Sequence, residues 1–351
     1  METDIILSSD LAAQTDRAIE ALRPDRVFLL CDETTARLCR PLLSASQRLA
    51  TAPLISIGAG DAHKELDTLA AVWRALSEGG ASRRSLLVCL GGGMVTDLGG
   101  FAAATFKRGM ACLNIPTTLL AMVDAAVGGK TGINFNGLKN EVGAFSNPRA
   151  VIIDTDFLRT LDETNLRSGY AEMLKHGLIS GRELWAASLD FDIAAPDYGR
   201  LQTMVAENIR VKSDIVRQDP HEHGLRKALN LGHTAGHALE ALALSRQRPV
   251  LHGYAVAWGL VCELYLSHLK TGFPLNDLRQ TTAYIRDHYG RFAFDCDDYD
   301  HLLRLMSHDK KNVGGVINFT LLGAPGDIRL DNTATHEEIC ESFDFLRESL
   351  G

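Results

Sequence analysis

The sequence predicts two domains: an α/β N-terminal domain of the Rossmann-like type over residues 1–160, and a mainly α-helical C-terminal domain over residues 161–351. In the first half, short apolar segments alternate with amphipathic helical patterns, which is typical of a parallel sheet covered on both faces. In the second half, helical periodicity dominates. A run of three glycines between a predicted strand and a predicted helix also favours a nucleotide-binding domain.

The predicted strands of the first half are five short apolar segments: Arg26–Leu30, Pro53–Ile57, Leu86–Leu90, Cys112–Ile115 and Ala150–Ile153. Helical patterns lie between them at Thr34–Ser46, Leu66–Leu76 and Met94–Phe106. In the second half, helices are predicted at Asn165–His176, Leu201–Val216, Ala228–Leu244, Tyr254–Lys270 and Leu275–His288. One short extended segment, Val316–Leu322, is predicted to stand apart.

The composition is that of an ordinary globular chain, with 351 residues, of which 46% are hydrophobic and 23% charged. The formal net charge of −8 argues against binding to nucleic acid. No apolar segment approaches the roughly 18 residues of a membrane span, and the first residues lack the basic flank of a signal peptide. We therefore expect a cytoplasmic protein that does not contact a membrane. The seven cysteines are scattered without a CxxC pair, which predicts free thiols.

The glycine turn, Gly91–Gly93, directly follows a predicted strand and precedes a helix of small residues. Consecutive glycines let the backbone approach a pyrophosphate, and the helix N-terminus offers N–H groups to it. The spacing differs from the GxGxxG dinucleotide motif, so a tight turn with a close helix–sheet contact remains an alternative interpretation. Thr117 and Thr118 follow the next strand, and their hydroxyl groups at the same edge of the sheet favour the cofactor interpretation.

A second glycine turn, Gly128–Gly129, lies between Asp124 and Lys130. Asp124 occupies the position of the first glycine in the phosphate-loop pattern GxxxxGK[ST]. Its carboxylate would repel a phosphate. ATP binding is therefore not predicted for this segment.

Histidines and a glutamate in the second half have the spacing of a metal site. His233 and His237 lie four residues apart on a predicted helix, His252 opens the next helical pattern, and Glu172 lies on an earlier helix. Three nitrogen or oxygen ligands with an open fourth position describe a catalytic zinc site. The HExxH metalloprotease motif is excluded, because Thr234 stands where that motif has glutamate. From the residues alone, a metal site and hydrogen-bonded buried histidines both remain open.

Taken together in chain order, these segments resemble the 3-dehydroquinate synthases, the shikimate-pathway members of the sugar phosphate cyclase superfamily. The resemblance is specific because many separate motifs occur in the expected order over most of the chain. They are GDAHK (Gly60–Lys64), GGGMVTDLGGFAAATFKRG (Gly91–Gly109), IPTTLLAMVDAAVGGKTGIN (Ile115–Asn134), LKNEVGAF (Leu138–Phe145), DTDFLRTL (Asp154–Leu161), RSGYAEMLKHGL (Arg167–Leu178), GLRKALNLGHTAGHALE (Gly224–Glu240), LHGYAVAWG (Leu251–Gly259) and HDKKNVGG (His308–Gly315).

The resemblance implies a dehydroquinate synthase-like fold and a role for each matching residue. The metal ligands would be Glu172, His233 and His252, holding zinc, cobalt or another divalent ion, and His237 would lie in the substrate pocket. NAD would be bound by Asp32, Asp61, Lys64, Gly93, Met94, Val95, Thr96, Asp97, Thr117, Thr118, Lys130, Lys139, Phe157, Leu158, Arg159 and Thr160. The substrate, with its phosphate and carboxylate, would meet Asp124, Lys130, Asn140, Lys175, Lys212, Arg226, Asn230 and Lys310. Arg108 would reach the neighbouring subunit's site, which implies a homodimer.

The implied reaction converts 3-deoxy-D-arabino-heptulosonate 7-phosphate into 3-dehydroquinate and phosphate. It proceeds through transient oxidation by NAD, phosphate elimination, re-reduction and an intramolecular aldol closure. Because NAD is regenerated in each turnover, the enzyme would be a lyase, of the phosphorus–oxygen class, rather than a net oxidoreductase. One alternative is another sugar phosphate cyclase, acting on sedoheptulose 7-phosphate or glucose 6-phosphate. A metal-dependent alcohol dehydrogenase and a catalytically silent metal-binding protein are further alternatives.

Four positions depart from the commonest pattern of the family. They are Thr34, Asp61, Thr96 and His176, where asparagine, glutamate, glycine and tyrosine are more usual. We expect these differences to affect cofactor affinity rather than the reaction, because none lies in the implied metal or substrate set.

Overall fold

The computed structural model describes residues 3–307 and 317–350. The chain divides into two compact units, Met1–Asp162 and Glu163–Gly351; the predicted boundary lies between residues 160 and 161. All seven cysteines are free thiols. Within the described part of the chain, no helix is long and apolar enough to cross a membrane.

The first unit contains a six-stranded sheet in which every pair of neighbouring strands is parallel. Its strands, in chain order, are β1 (Asp4–Leu7), β2 (Val27–Asp32), β3 (Leu54–Ile57), β4 (Leu86–Gly91), β5 (Ala111–Pro116) and β8 (Ala150–Ile153), with β6 and β7 in a separate hairpin. The spatial order is β1-β8-β5-β4-β2-β3. The five predicted strands are present, whereas the edge strand β1 was not predicted.

Five α-helices belong to this unit: α1 (Leu11–Leu22), α2 (Glu33–Leu38), α3 (Gln47–Ala50), α4 (Leu66–Glu78) and α5 (Gly93–Thr105). Short turns of 3-10 helix lie at Arg40–Leu43, Asp61–His63, Phe106–Arg108 and Thr155–Thr160, and a π-helical turn lies at Ala121–Ala125. Helix α1 was not predicted. The single helix predicted over Thr34–Ser46 is wrong, because Pro41 cannot continue an α-helix and a 3-10 turn follows α2 instead.

The strand order reverses direction between β2 and β4. The chain proceeds from β2 outwards to β3 and then returns to the other side of β2 with β4. In open α/β sheets, ligands bind outside the carboxyl ends of the strands at such a reversal. Here those ends are Asp32 of β2 and Gly91 of β4.

The segment after the second glycine turn forms a β-hairpin, which was not predicted. Strands β6 (Lys130–Phe135) and β7 (Leu138–Phe145) pair antiparallel through the two-residue turn Asn136-Gly137. Both turn residues have positive φ, 50° and 78°, as a type I′ turn requires. An Asn-Gly pair between extended segments is a strong hairpin signal, so the sequence carried the information.

The second unit is mainly helical. Its helices are α6 (Glu163–Ser180), α7 (Arg182–Leu189), α8 (Tyr198–Gln218), α9 (His233–Ser245), α10 (His252–Thr271), α11 (Leu275–Tyr289), α12 (Tyr299–Ser307) and α13 (His336–Ser349). The short helices α7 and α12 and the last helix, α13, were not predicted. Strand β9 (Asn318–Ala324) pairs antiparallel with β10 (Asp327–Thr333), so the extended segment predicted to stand apart has a partner; its residue Val316 lies outside the described residues.

Helix α9 begins at His233, five residues later than the predicted helix Ala228–Leu244. Gly232 has a φ of 79°, a left-handed conformation that breaks the helix, and a 3-10 turn over Leu225–Asn230 precedes it. Helices α9 and α10 approach closely at this point, because a Cβ at Gly259 would lie 2.0 Å from the backbone oxygen of Gly232.

Replacing Gly259 by alanine is expected to lower the free energy of unfolding by about 1–3 kcal/mol, because α10 must then move away from the start of α9. Equilibrium unfolding in urea measures the change. Gly199→Ala, at an exposed position in α8, is the control and should lose no stability, since alanine favours helix. A Gly259→Ala protein as stable as the unmodified chain would contradict the close packing described here.

Candidate functional site

Glu172, His233 and His252 form a compact cluster in the second unit. Glu172 lies in α6, and each histidine is the first residue of its helix, α9 or α10. The Oε1 atom of Glu172 lies 3.4 Å from Nε2 of His233 and 3.3 Å from Nε2 of His252. The cluster therefore directs one carboxylate oxygen and two imidazole nitrogens towards one another.

The other nitrogen of each imidazole faces an oxygen acceptor. Nδ1 of His233 lies 3.1 Å from the backbone oxygen of Leu231, which can only accept a hydrogen bond. Nδ1 of His252 lies 3.4 Å from a carboxylate oxygen of Glu240. An acceptor at Nδ1 favours the tautomer with its lone pair on Nε2, which is the form that binds a metal ion.

The charges of the cluster are coupled. Burial opposes ionisation of Glu172, but Lys175, His233 and His252 together hold the pKa of this carboxyl well below its usual value. Burial and the nearby Lys175 ammonium lower the pKa of His233. For His252, burial is outweighed by the contacts with Glu172 and Glu240, which raise its pKa.

The geometry of the cluster fits a tetrahedral divalent ion. Two ligand atoms that each lie about 2.0–2.1 Å from such an ion are about 3.3–3.4 Å apart. The distances from Oε1 of Glu172 to the two Nε2 atoms have these values. Among the described residues, neither oxygen of this buried carboxylate has a hydrogen-bond partner of acceptable geometry. Three ligands leave a fourth position for a substrate, as in catalytic zinc sites.

His237 lies beside the cluster but is not one of its three ligands. It follows His233 by one helical turn, and its ring centre is 5.3 Å from that of His233 and 5.8 Å from that of His252. The imidazole is partly exposed. This placement is compatible with the predicted role in a substrate pocket.

Three cations in the same unit are almost completely buried. Lys175 in α6, Lys212 in α8 and Arg226 in the 3-10 turn are 1%, 6% and 2% exposed. The Lys175 ammonium contacts Oε2 of Glu172, and the elements that carry the three cations pack against one another. Side chains that carry a charge are seldom buried this completely unless they are paired, and Lys175 is paired with Glu172. The burial of all three cations is compatible with an anionic ligand.

A loop before the 3-10 turn holds Arg226 in place. The Asp219 carboxylate accepts backbone N–H hydrogen bonds from the loop, including that of Arg226 at 3.1 Å. Although desolvation opposes it, these bonds lower the pKa of Asp219 to about 2. The Arg226 guanidinium donates to the backbone oxygen of Pro220 at 2.6 Å, and the Asn230 amide donates to Glu222 at 2.9 Å.

The predicted NAD-binding residues of the first unit lie mainly at the carboxyl edge of the sheet. Asp32 ends β2, Gly93–Asp97 open α5, Thr117 and Thr118 follow β5, and Phe157–Thr160 lie in the turn after β8. The N-cap residue of α5 is Gly92, which has no side chain to accept the free N–H groups of the first turn. A helix N-terminus of this kind can bind an anion. Helix α5 also lies very close to the sheet, since a Cβ at Gly99 would be 2.3 Å from Sγ of Cys89. The close helix–sheet contact of the alternative interpretation is therefore present, and the uncapped N-terminus of α5 is compatible with pyrophosphate binding.

Some of these residues offer only their backbone to a ligand. The side chains of Val95, Phe157 and Leu158 are completely buried in the core. By contrast, the hydroxyl group of Thr160 lies 3.6 Å from Sγ of Cys39, at the end of α2. Asp32 and Thr160 are among the predicted residues at this edge that carry polar side chains.

Lys64 connects several predicted residues of the first unit. Its ammonium donates to a carboxylate oxygen of Asp97 at 2.6 Å and contacts the side-chain oxygen of Asn140. The Lys139 ammonium lies 3.5 Å from a carboxylate oxygen of Asp61. Asp61 belongs to the 3-10 turn that directly precedes Lys64. The hairpin and the Asp61–His63 turn therefore bring predicted cofactor and substrate residues together.

The remaining predicted residues are more dispersed. Lys130 is exposed at the start of β6 and lines a small cavity beside Thr96, and Asp124 is half-buried in the π-helical turn. Arg108 is exposed after α5. Lys310 and the surrounding motif His308–Gly315 lie outside the described residues.

The sequence analysis did not identify several supporting residues. Asn134 bonds both the Asp61 side chain and the backbone N–H of Asn140, and it is the last residue of a recognised motif. Glu240 likewise ends the motif that contains His233. Asp219 has no local signal of its role, because its partners become evident only from the loop conformation.

Comparison with known proteins places these features in a family. The chain matches the model of the 3-dehydroquinate synthase N-terminal region over residues 54–168, and that of the C-terminal region over residues 169–312. It is 55% identical over 350 residues to the 3-dehydroquinate synthase of Parabacteroides distasonis, which covers 100% of this chain and 99% of the relative.

Two solved structures share the fold over nearly the whole length. A 2-epi-5-epi-valiolone synthase from Streptomyces hygroscopicus with NAD+ and Zn2+ bound has a TM-score of 0.84 and 25% identity, covering 99% of this chain and 97% of that one. A 2-deoxy-scyllo-inosose synthase complexed with carbaglucose-6-phosphate, NAD+ and Co2+ has a TM-score of 0.83 and 22% identity, covering 98% and 96%. The similarity confirms the predicted fold class.

Glu172→Gln is expected to weaken Zn2+ binding by more than about a hundredfold, because loss of even an outer partner of a metal ligand costs about 10–100-fold. Competition with a chromophoric chelator measures the affinity, and circular dichroism checks the fold. Glu163→Gln, an exposed change on the same helix, should bind Zn2+ normally. Unchanged affinity in Glu172→Gln would remove this residue from the metal site.

Proposed function

This chain belongs to the 3-dehydroquinate synthase family, and on that premise we propose that it converts 3-deoxy-D-arabino-heptulosonate 7-phosphate into 3-dehydroquinate and phosphate. The observation that carries the proposal is a three-ligand metal site whose Glu172 contacts one of three buried cations. The substrate carries both a phosphate and a carboxylate. A set of buried cations near such a cluster suits a sugar with two anionic groups.

We propose NAD+ and a divalent ion, zinc or cobalt, as the cofactors. Similar proteins bound to NAD+ with Zn2+ or Co2+ support this assignment, as does the fit of Glu172, His233 and His252 to a tetrahedral ion. When bound, NAD+ accepts and returns a hydride, and the divalent ion acts as a Lewis acid. The Gly91–Gly93 turn and the N-terminus of α5 would hold the pyrophosphate.

Lys175, Lys212 and Arg226 would position and neutralise the substrate. Their burial places them in a low-dielectric environment, where a charge interaction is stronger than in water. Lys175 and Arg226 are held in position before the substrate arrives, because Lys175 contacts Glu172 and the Asp219 loop holds Arg226. Preorganised charge of this kind lowers a reaction barrier without reorganisation during the reaction.

Arg226 is the proposed partner of the substrate carboxylate, with Lys212 and Asn230. Arginine presents a planar fork of donors that matches a carboxylate. Sedoheptulose 7-phosphate and glucose 6-phosphate lack a carboxylate, so these residues favour the heptulosonate over the substrates of the sister cyclases. The high identity to a 3-dehydroquinate synthase supports the same choice.

We propose that the enzyme is a lyase, but not the phosphorus–oxygen lyase that the resemblance implied. The elimination removes a proton from the acidic C–H and breaks the bond between the adjacent carbon and the ester oxygen, so that phosphate leaves. We therefore propose a carbon–oxygen lyase in place of a phosphorus–oxygen lyase.

We also propose a homodimer in which Arg108 reaches the partner's substrate phosphate. Lys107 and Arg108 have φ values of 49° and 68°, and Gly109 follows with 115°. Two consecutive non-glycine residues with positive φ are strained, and strain of this kind is characteristic of functional loops. Light scattering in solution would measure the mass of the assembly.

Phosphate release from 3-deoxy-D-arabino-heptulosonate 7-phosphate, with Zn2+ and a trace of NAD+, tests the proposed reaction. We expect many turnovers for each NAD+ and no accumulation of NADH. Sedoheptulose 7-phosphate and glucose 6-phosphate are the comparison substrates and should release little phosphate. Preferential release from either would assign a sister cyclase, and stoichiometric NADH would indicate a dehydrogenase.

Arg226→Ala is expected to raise KM for the heptulosonate by at least about tenfold, because the substrate carboxylate loses a buried charged partner, an interaction worth about 2–5 kcal/mol. Steady-state kinetics measure the effect. Lys227→Ala removes the adjacent, more exposed cation and should leave kinetics unchanged. Equal KM values for Arg226→Ala and Lys227→Ala would refute the carboxylate role of Arg226.

A further inference from the structure

Glu263 is a completely buried carboxylate in the middle of α10. Its Oε2 atom accepts the backbone N–H of Gly232 at 2.6 Å. Its Oε1 atom accepts the backbone N–H groups of Thr234 at 2.9 Å and Ala235 at 3.1 Å. All three donors lie at the start of α9, so a side chain from one helix secures the first turn of another.

Helix α9 does not cap itself. Its N-cap residue is Gly232, which has no side chain to accept the N–H groups of the first turn. Glu263 takes the place of that missing cap. The close approach at Gly259 makes this geometry accessible, because Glu263 follows Gly259 by about one helical turn.

The first residue of α9 is His233, one of the three proposed metal ligands. A helix N-terminus carries a partial positive charge, which disfavours a divalent cation at the same place. The carboxylate of Glu263 is bonded to that terminus and offsets its charge. By contrast, at the start of α10 the N–H of Gly253 is bonded by the neutral hydroxyl group of Ser168.

We propose that Glu263 is a positioning residue of the metal centre. It fixes the first turn of α9 so that Nε2 of His233 faces Oε1 of Glu172, and its negative charge favours a divalent ion there. This inference rests on the metal site of the proposed function. It predicts that metal affinity depends on a side chain that does not itself bind the metal.

The test is Co2+ binding to chelator-treated protein, measured by competition with a chromophoric chelator and by the visible absorption of bound Co2+. Glu263→Gln keeps the length of the side chain but removes its charge, and we expect the Kd for Co2+ to rise about 10–100-fold. Glu263→Asp keeps the charge but shortens the reach, and it should shift the Co2+ spectrum. It also tests the inference if Glu263→Gln does not fold.

Ser267→Ala is the matched control. Ser267 is equally buried one turn further along α10, and its hydroxyl group bonds the backbone of Glu263 and Leu322 rather than α9. We expect this variant to lose some stability but to retain the Kd and spectrum of the unmodified chain. A comparable loss of affinity in Ser267→Ala would show that general destabilisation, and not Glu263, controls the site.

The outcomes separate this inference from the proposed function. If the unmodified chain takes up no Co2+, the metal assignment itself fails. If the unmodified chain binds Co2+, and Glu263→Gln and Glu263→Asp bind it with the same Kd and spectrum, only the positioning role of Glu263 is overturned.

Discussion

The burial of the Glu172 carboxylate is the constraint on which the site in the second unit depends. A buried carboxylate requires positive charge or hydrogen-bond donors nearby, because removing it from water is costly. Lys175 supplies one such charge from the same helix, and the imidazoles of His233 and His252 face the other oxygen. The spacing of the three ligand atoms fits a divalent ion better than it fits good hydrogen bonds. The arrangement therefore fits the proposed metal centre, with a cation beside it.

In this fold, two of the three proposed metal-binding residues stand at the beginning of a helix. His233 and His252 are each the first residue of a helix, and the two helices are held in close contact by glycines. Buried polar groups on neighbouring helices then hold the two first turns in place. In the first unit, polar residues follow the carboxyl ends of the parallel strands, and one hairpin adds further polar residues. Several of the proposed site residues in both units thus lie where a helix or strand begins or ends.

Much of this could be predicted from the sequence. The alternation of apolar segments predicted the central strands, and the resemblance to the family implied a ligand set, Glu172, His233 and His252, which the structure brings together. The ends of the helices were harder to predict. Pro41 divides the helix predicted over Thr34–Ser46, and Gly232 makes α9 begin five residues later than predicted. The hairpin carried a readable Asn-Gly signal. The contacts of Glu240, Glu263 and Asp219 could not be predicted, because each joins residues that are adjacent only after the chain has folded.

The most direct test of this account is anomalous X-ray diffraction from crystals of the Zn2+-loaded protein, recorded on both sides of the zinc absorption edge. The account predicts one strong peak within about 2.0–2.2 Å of Oε1 of Glu172 and of Nε2 of His233 and His252. A zinc peak away from these three atoms, or hydrogen bonds among them in zinc-soaked crystals without any peak, would contradict the metal centre and the mechanism that depends on it.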